Sequence, residues 1–398
     1  MEKLFLFQNN ILQNIPVEFK RYLYEQVPFE SRLVGIRGIR GVGKTTLLLQ
    51  YLKTQSLATS LYITADHPWF YQHSLLETAE EWHKQGGRLL VIDEVHKYAN
   101  WSSELKNIYD GLPTMRVLFT ASSALDIYRG EADLSRRALS FTLHGMSFRE
   151  YLSLYQIADF PVFSLHQLLT NHQLLAMQIM EQLESPLVYF KKYLQTGYLP
   201  LGIQTTSAQE YSTRTFRLID AVLEFDLAFL HDYSASHQSK IRRLLGILAD
   251  AVPYIPNIQE LATTLQVSRN TVLMWLQHLE QGAIIRNIHK EGHGTSMLQK
   301  PDKIVLENTN FNYVLGQNPN EGTLRETFIA NQLSNVGHHL FLADQGDFIV
   351  NNQFILEVGG KNKKKKQISG LSDAWVVKDN IEMGYTNVVP MWLFGFLY

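Results

Sequence analysis

The chain has no cysteine among its 398 residues. That excludes a disulfide framework, a thiolate metal site and a cysteine nucleophile. Neither sign of charge is in excess: 36 Lys and Arg stand against 38 Asp and Glu, a formal net charge of −2. No global field therefore attracts nucleic acid or a membrane, and any such contact must come from a local patch. No stretch approaches the roughly 18 apolar residues that a spanning helix needs. Met1–Gln8 is apolar but short, and Asn9, Asn10 and Gln13 interrupt the pattern after it, so it lacks the core and cleavage site of a signal peptide. The expectation is a soluble, cytoplasmic protein with no membrane partner. At 45% hydrophobic residues the chain can bury sizeable cores, and its length suggests two or three domains.

Gly-Ile-Arg-Gly-Val-Gly-Lys-Thr, residues 38–45, fits the phosphate-loop pattern G-x-x-x-x-G-K-[ST] at every fixed position. Residues 32–37 before it read as a buried strand and 46–52 after it as a helix, which is the context this loop needs. Gly38, Gly41 and Gly43 let the backbone curl so that N–H groups converge on an anion, and the helix N-terminus adds its partial positive charge. Gly38, Gly41, Val42, Gly43, Lys44, Thr45 and Thr46 are thus candidates for a nucleotide. Lys44 would reach the β- and γ-phosphates, and the Thr45 hydroxyl would ligate Mg²⁺.

Residues 61–64 read as a second strand, 74–84 as a helix and 88–92 as a third strand, ending in Asp93-Glu94. Falling about 50 residues after the loop, the two acids complete a nucleotide signature. Asp93 would hold Mg²⁺, and Glu94 would accept a proton from the attacking water. His96 reads as structural more readily than as a substrate-side residue. Residues 101–109 read as a helix and 115–120 as a fourth strand. At its tip Ser122 and Ser123, with Thr120 a weaker candidate, either orient water or simply cap a turn. Arg136 and Arg137 either supply a finger to the γ-phosphate, or form a solvated pair, or form a pair bound to Glu131 and Asp133. They act within one chain or across an interface, which leaves a homo-oligomer open. Residues 139–143 read as a further strand. Phe19, Tyr22, Leu23 and Val27 predict a helix over 11–30.

The rest divides by pattern. Residues 155–235 are helical in spacing, and Gly197 and Pro200 end a helix there or set Pro200 against a nucleotide base. Residues 237–288 read as three helices, the last capped by Ser268, and a hairpin comes next around 292–294: a helix-turn-helix with a wing. Arg269, Asn270, Thr271, Gln277 and His278 would line the reading face, and Arg286, Lys290 and Lys300 would meet phosphates. From 320 onward a helix with Glu326 precedes short strands. Asp347, Glu357 and a lysine can bind one metal ion and polarise a phosphodiester. The lysine two residues after the Glu is missing, since Gly359 stands there, and Lys361 is the first available. The lysine-rich run 361–366 is a solvated loop or a patch for a nucleic-acid backbone. Pro390 makes the last strand an edge strand.

With these residues in view, the chain resembles the prokaryotic, archaeal-type AAA+-like ATPases close to the signalling (STAND) ATPases. Gly38–Thr45, Leu89–Glu94 with Val95-His96-Lys97-Tyr98, Phe119–Ser123, Gly130–Ala138, Ser147–Leu152, Gly197–Pro200 and Glu357–Lys363 carry the resemblance, which covers essentially the whole chain. It implies an α/β phosphate-loop core with a parallel sheet (1–150), a helical lid (151–235), a winged helix-turn-helix (236–310) and an α+β domain similar to PD-(D/E)xK nucleases (311–398). The expected activity is Mg²⁺-dependent ATP hydrolysis by a switch protein. DNA contact through 269–303 and 361–366, and metal-dependent cleavage by the last domain, are the alternatives.

Overall fold

The computed structural model describes residues 1–122, 134, 136–227, 233–251, 255–292, 299–316, 319–363, 368 and 370–398. Ser123, Glu131, Asp133, the hairpin tip at 293–294 and Lys364–Lys366 lie outside them. The chain divides into two units, Met1–His144 and Gly145–Tyr398, where the sequence suggests four regions. No helix among the described residues is long and apolar enough to cross a membrane.

The first unit is a five-stranded sheet in the order β2-β3-β4-β1-β5. Its strands are β1 (Leu33–Gly38), β2 (Ser60–Thr64), β3 (Leu89–Asp93), β4 (Arg116–Ser122) and β5 (Leu139–Thr142), all parallel. β1 and β3 are buried almost throughout, as continuous apolar runs require in a sheet covered on both faces. Helices α1 (Glu2–Gln13), α2 (Lys44–Leu52), α3 (Leu75–Lys84) and α4 (Trp101–Gly111) belong to the same unit. Ser74 caps α3 in a capping box: it accepts the Glu77 N–H at 3.0 Å, and Glu77 accepts the Ser74 N–H at 2.9 Å. Ser74→Ala should cost about 1 kcal/mol of stability, read from a denaturant midpoint.

The helix expected over 11–30 is a correction. The real helix begins earlier and ends at Gln13, and only a 3₁₀ turn, Tyr22–Glu25, comes after it. The period of Phe19, Tyr22, Leu23 and Val27 is overridden by Arg21. Arg21 is extended (φ −70°, ψ 150°) and buried, and its guanidinium donates to the carbonyls of Val42 and, at 2.7 Å, His144.

In the second unit, α5 (Phe148–Leu154), α6 (Leu165–Met180), α7 (Pro186–Thr196) and α8 (Ala208–Ala221) precede α9 (Ala235–Ala251), α10 (Ile258–Leu265) and α11 (Arg269–Gln281). The antiparallel pair β6 (Ile285–Ile288) and β7 (Lys303–Leu306) is next. Then come α12 (Thr309–Leu315), α13 (Glu321–Asn335) and a second sheet ordered β12-β11-β10-β9-β8. Its strands are β8 (Leu340–Leu342), β9 (Phe348–Val350), β10 (Phe354–Gly359), β11 (Ala374–Lys378) and β12 (Val388–Pro390). Pro390 does sit on an edge strand. Phe148, Leu168, Phe190 and Tyr193 share one core with Phe328, Leu356, Trp392 and Phe396. Three helices of the region expected as a lid, α5, α6 and α7, are therefore packed into the core of the C-terminal sheet.

Candidate nucleotide site

β1 and α2 are joined by the loop 38–45, in which Gly38, Gly41 and Gly43 all have positive φ, Gly41 at 82°. Gly43 caps α2 in the left-handed region (φ 97°). Gly38 has φ 152°, and a Cβ there would meet the Leu143 carbonyl oxygen at 2.3 Å. The Lys44 ammonium folds back across the loop, donating to the carbonyls of Gly38 at 2.8 Å and Ile39 at 3.0 Å. Val42 is fully buried, and its carbonyl is the one Arg21 grips.

Because β4 lies between β1 and β3, the tips of three strands converge beside this loop at the carboxyl edge of the sheet, where ligands of open α/β sheets bind. Asp93, at the end of β3, is buried. Its Oδ2 accepts the Thr45 hydroxyl at 2.8 Å and the Tyr62 phenol at 3.0 Å, and its Oδ1 accepts the Thr120 hydroxyl. Burial first, and then the charge of Asp93, push the Tyr62 phenol far up, so it remains a neutral donor. The sequence singled out Thr45 and Asp93, which the structure joins. It graded Thr120 below the serines, yet Thr120 is the residue on Asp93, and its hydroxyl also accepts the Glu94 N–H at 2.8 Å. Ser122 ends β4, buried, paired in register with Gly38.

Glu94 is left-handed (φ 51°). Its carboxylate is paired with Lys97, which also meets Asp66 at 2.6 Å. Asp66 in turn accepts the Thr64 hydroxyl at 2.6 Å. Burial pulls the Lys97 pKa down, but the two carboxylates outweigh it and leave it raised. Sequence reading missed Tyr62, Lys97 and Arg21. The signal for Lys97 was present in its position three residues after an acid on a turn.

Arg137 is bound to Asp110, in the last turn of α4, by two 2.9 Å contacts. That turn and the start of β5 lie at the amino edge of the sheet, so within its own chain Arg137 is held away from the loop. Arg136, next to it, is exposed. Pro200 opens a 3₁₀ turn, Pro200–Gln204, in the second unit. His96 is buried.

In the second unit three readings are corrected. His278 is buried and meets the Tyr233 hydroxyl, so it is off any reading face of α11. Arg286 turns inward to Glu307 at 2.6 Å and Asn335 at 3.2 Å; Lys290 keeps its ammonium at the surface, beside the exposed Asp344 at 2.7 Å. Lys363, not Lys361, reaches the fully buried Glu357, at 2.5 Å. Asp347 accepts the Val358 N–H at 2.7 Å, and Glu326 pairs with Lys303 from β7. Among the described residues no group of three or more His, Asp or Glu side chains is placed to hold a metal ion.

Residues 30–152 match the family described as AAA domain, and residues 187–310 match a domain of unknown function, DUF8612. An uncharacterized protein of Methanocaldococcus jannaschii is 27% identical over 290 residues, 69% of this chain and 60% of its own length. The chain therefore spans less than two thirds of that relative. Among solved structures, Aeropyrum pernix ORC1 in complex with DNA is 11% identical over 78% of this chain and 91% of its own, with a TM-score of 0.30. AMPPCP-bound DnaA from Aquifex aeolicus is 14% identical over 70% and 88%, with a TM-score of 0.25. Likeness at those TM-scores assigns nothing. The domain match and the parallel sheet make residues 30–152 an AAA-type phosphate-loop core.

Proposed function

We propose that the first unit binds ATP with Mg²⁺ and hydrolyses it. The observation that carries this is the bond between Thr45 at the start of α2 and Asp93 at the end of β3. It joins the loop to the acid that a nucleotide-bound ion requires. Among the described residues, the buried Asp93 carboxylate is met by three hydroxyls and by no ammonium or guanidinium. A carboxylate kept neutral-partnered in this way suits a hard cation that takes few protein ligands and keeps several waters. Thr45 and Asp93 would hold Mg²⁺, and the ion would offset charge on the phosphate oxygens. The loop N–H groups and the helix N-terminus would bind the phosphates, Lys44 would meet the outer two, and Glu94 would take the proton of the attacking water. No step is assigned to Arg136, Arg137 or Pro200. Among the described residues, Glu326 of the second unit is paired with Lys303 and Glu357 with Lys363, whereas Asp93 has no cationic partner.

A melting curve with and without Mg-ATP tests the reading. At about 100 times Kd, binding adds roughly 2.7 kcal/mol. For a unit of this size that is a rise of roughly 5–10 °C. No rise overturns the proposal.

A further inference from the structure

The Asp93 carboxylate is oriented by more than its neighbours in the nucleotide signature. β2 is the edge strand of the first sheet, and an unpaired edge must be covered or paired. α1 covers it. Leu4, Gln8 and Leu12, four residues apart, form its buried face. Gln8 is almost completely buried and behaves as a substitute strand. Its amide N–H donates to the Ser60 carbonyl at 3.4 Å, and its amide oxygen accepts the Tyr62 N–H at 2.5 Å. Phe7, on the same helix, stacks on the Tyr62 ring with centroids 6.2 Å apart. The main chain and ring of Tyr62 are thus both held from α1, while its hydroxyl is bonded to Asp93.

Resting on the Mg-ATP reading above, we propose that Tyr62, set in place by Gln8, is a positioning residue for the metal-side carboxylate of Asp93. Thr45 donates to the same carboxylate oxygen from within the loop, its own oxygen lone pairs staying available to the ion. Tyr62 reaches Asp93 from outside the loop, and Thr120 fixes the other oxygen. Groups that hydrogen-bond a ligating carboxylate fix its orientation, and their loss typically weakens metal affinity about 10- to 100-fold.

The test is nucleotide binding as a function of Mg²⁺, with a fluorescent ADP analogue as the probe. In the parent, Mg²⁺ should tighten ADP binding with a measurable midpoint. In Tyr62→Phe that midpoint should rise about 10-fold, while ADP affinity in EDTA stays within about twofold. Gln8→Ala, which touches neither Asp93 nor the loop, should move the midpoint in the same direction and covers the case in which Tyr62→Phe fails to fold. A midpoint unchanged in both variants, a lower midpoint, or equal loss of affinity with and without Mg²⁺ overturns the positioning role. A parent that binds no ADP, or binds it without regard to Mg²⁺, overturns the Mg-ATP reading itself.

Discussion

Lys44→Ala should lower ATP turnover by at least about 10²-fold and abolish the rise in melting temperature that Mg-ATP gives the parent. The ammonium now spans the loop from one side to the other, bonded to two of its carbonyls. In the proposed site Lys44 would offset both those carbonyl dipoles and the charge of the outer phosphates. Alanine removes the charge that meets the outer phosphates and leaves Gly38 and Ile39 without their shared donor. The loop loses affinity for the ground state as well as for the transition state, so binding and turnover fall together. The helix itself is not at risk, because alanine is the best helix former and Leu47 to Leu52 all remain buried. Phosphate release and melting measured on the same preparation check the claim. Turnover within threefold of the parent would show that the loop is not a phosphate site.

How far the sequence revealed this site depended on how local each contact is. Gly38 to Thr45 is one continuous loop, and the glycines that shape it are visible as residues. Asp93 was visible because it ends an apolar strand about 50 residues after that loop. Tyr62 was not, because in the chain it is one more aromatic in a buried strand. Its bond to Asp93 depends on β2 pairing with β3 in the register that sets Thr64 beside Asp93, and no spacing states that pairing. Thr120 was undervalued for the same reason: its duty comes from β4 lying between β1 and β3.

Arg21 shows the opposite failure. Its segment has helical spacing, but a single buried guanidinium with two carbonyl partners outweighs a weak local preference. Lys363 repeats the lesson in the second unit. A turn in which the Lys363 N–H meets the Gly360 carbonyl at 2.9 Å brings back to Glu357 a lysine that simple counting along the strand passes over. Side chains whose roles come from tertiary pairing carry no mark in the sequence, whereas those that shape their own backbone do.

Glu94→Gln should separate chemistry from binding, with turnover lost by about 10²- to 10⁴-fold while the Mg-ATP melting rise persists. Glu94 adopts a left-handed conformation that a residue with a side chain enters at a cost of order 1–3 kcal/mol. It is held there by its N–H on Thr120 and by Lys97 at its carboxylate. Glutamine has the same length and keeps both the backbone bond and an oxygen for Lys97, so the turn survives. Lys97 also retains Asp66. What glutamine cannot do is accept a proton. The variant should therefore load nucleotide as the parent does and then stop, whereas Lys44→Ala should fail at loading. The pair of outcomes discriminates a hydrolase from a protein that only holds ATP: if Glu94→Gln turns over at the parental rate, Glu94 is not the base. In that case the Thr45–Asp93 bond supports nucleotide binding alone.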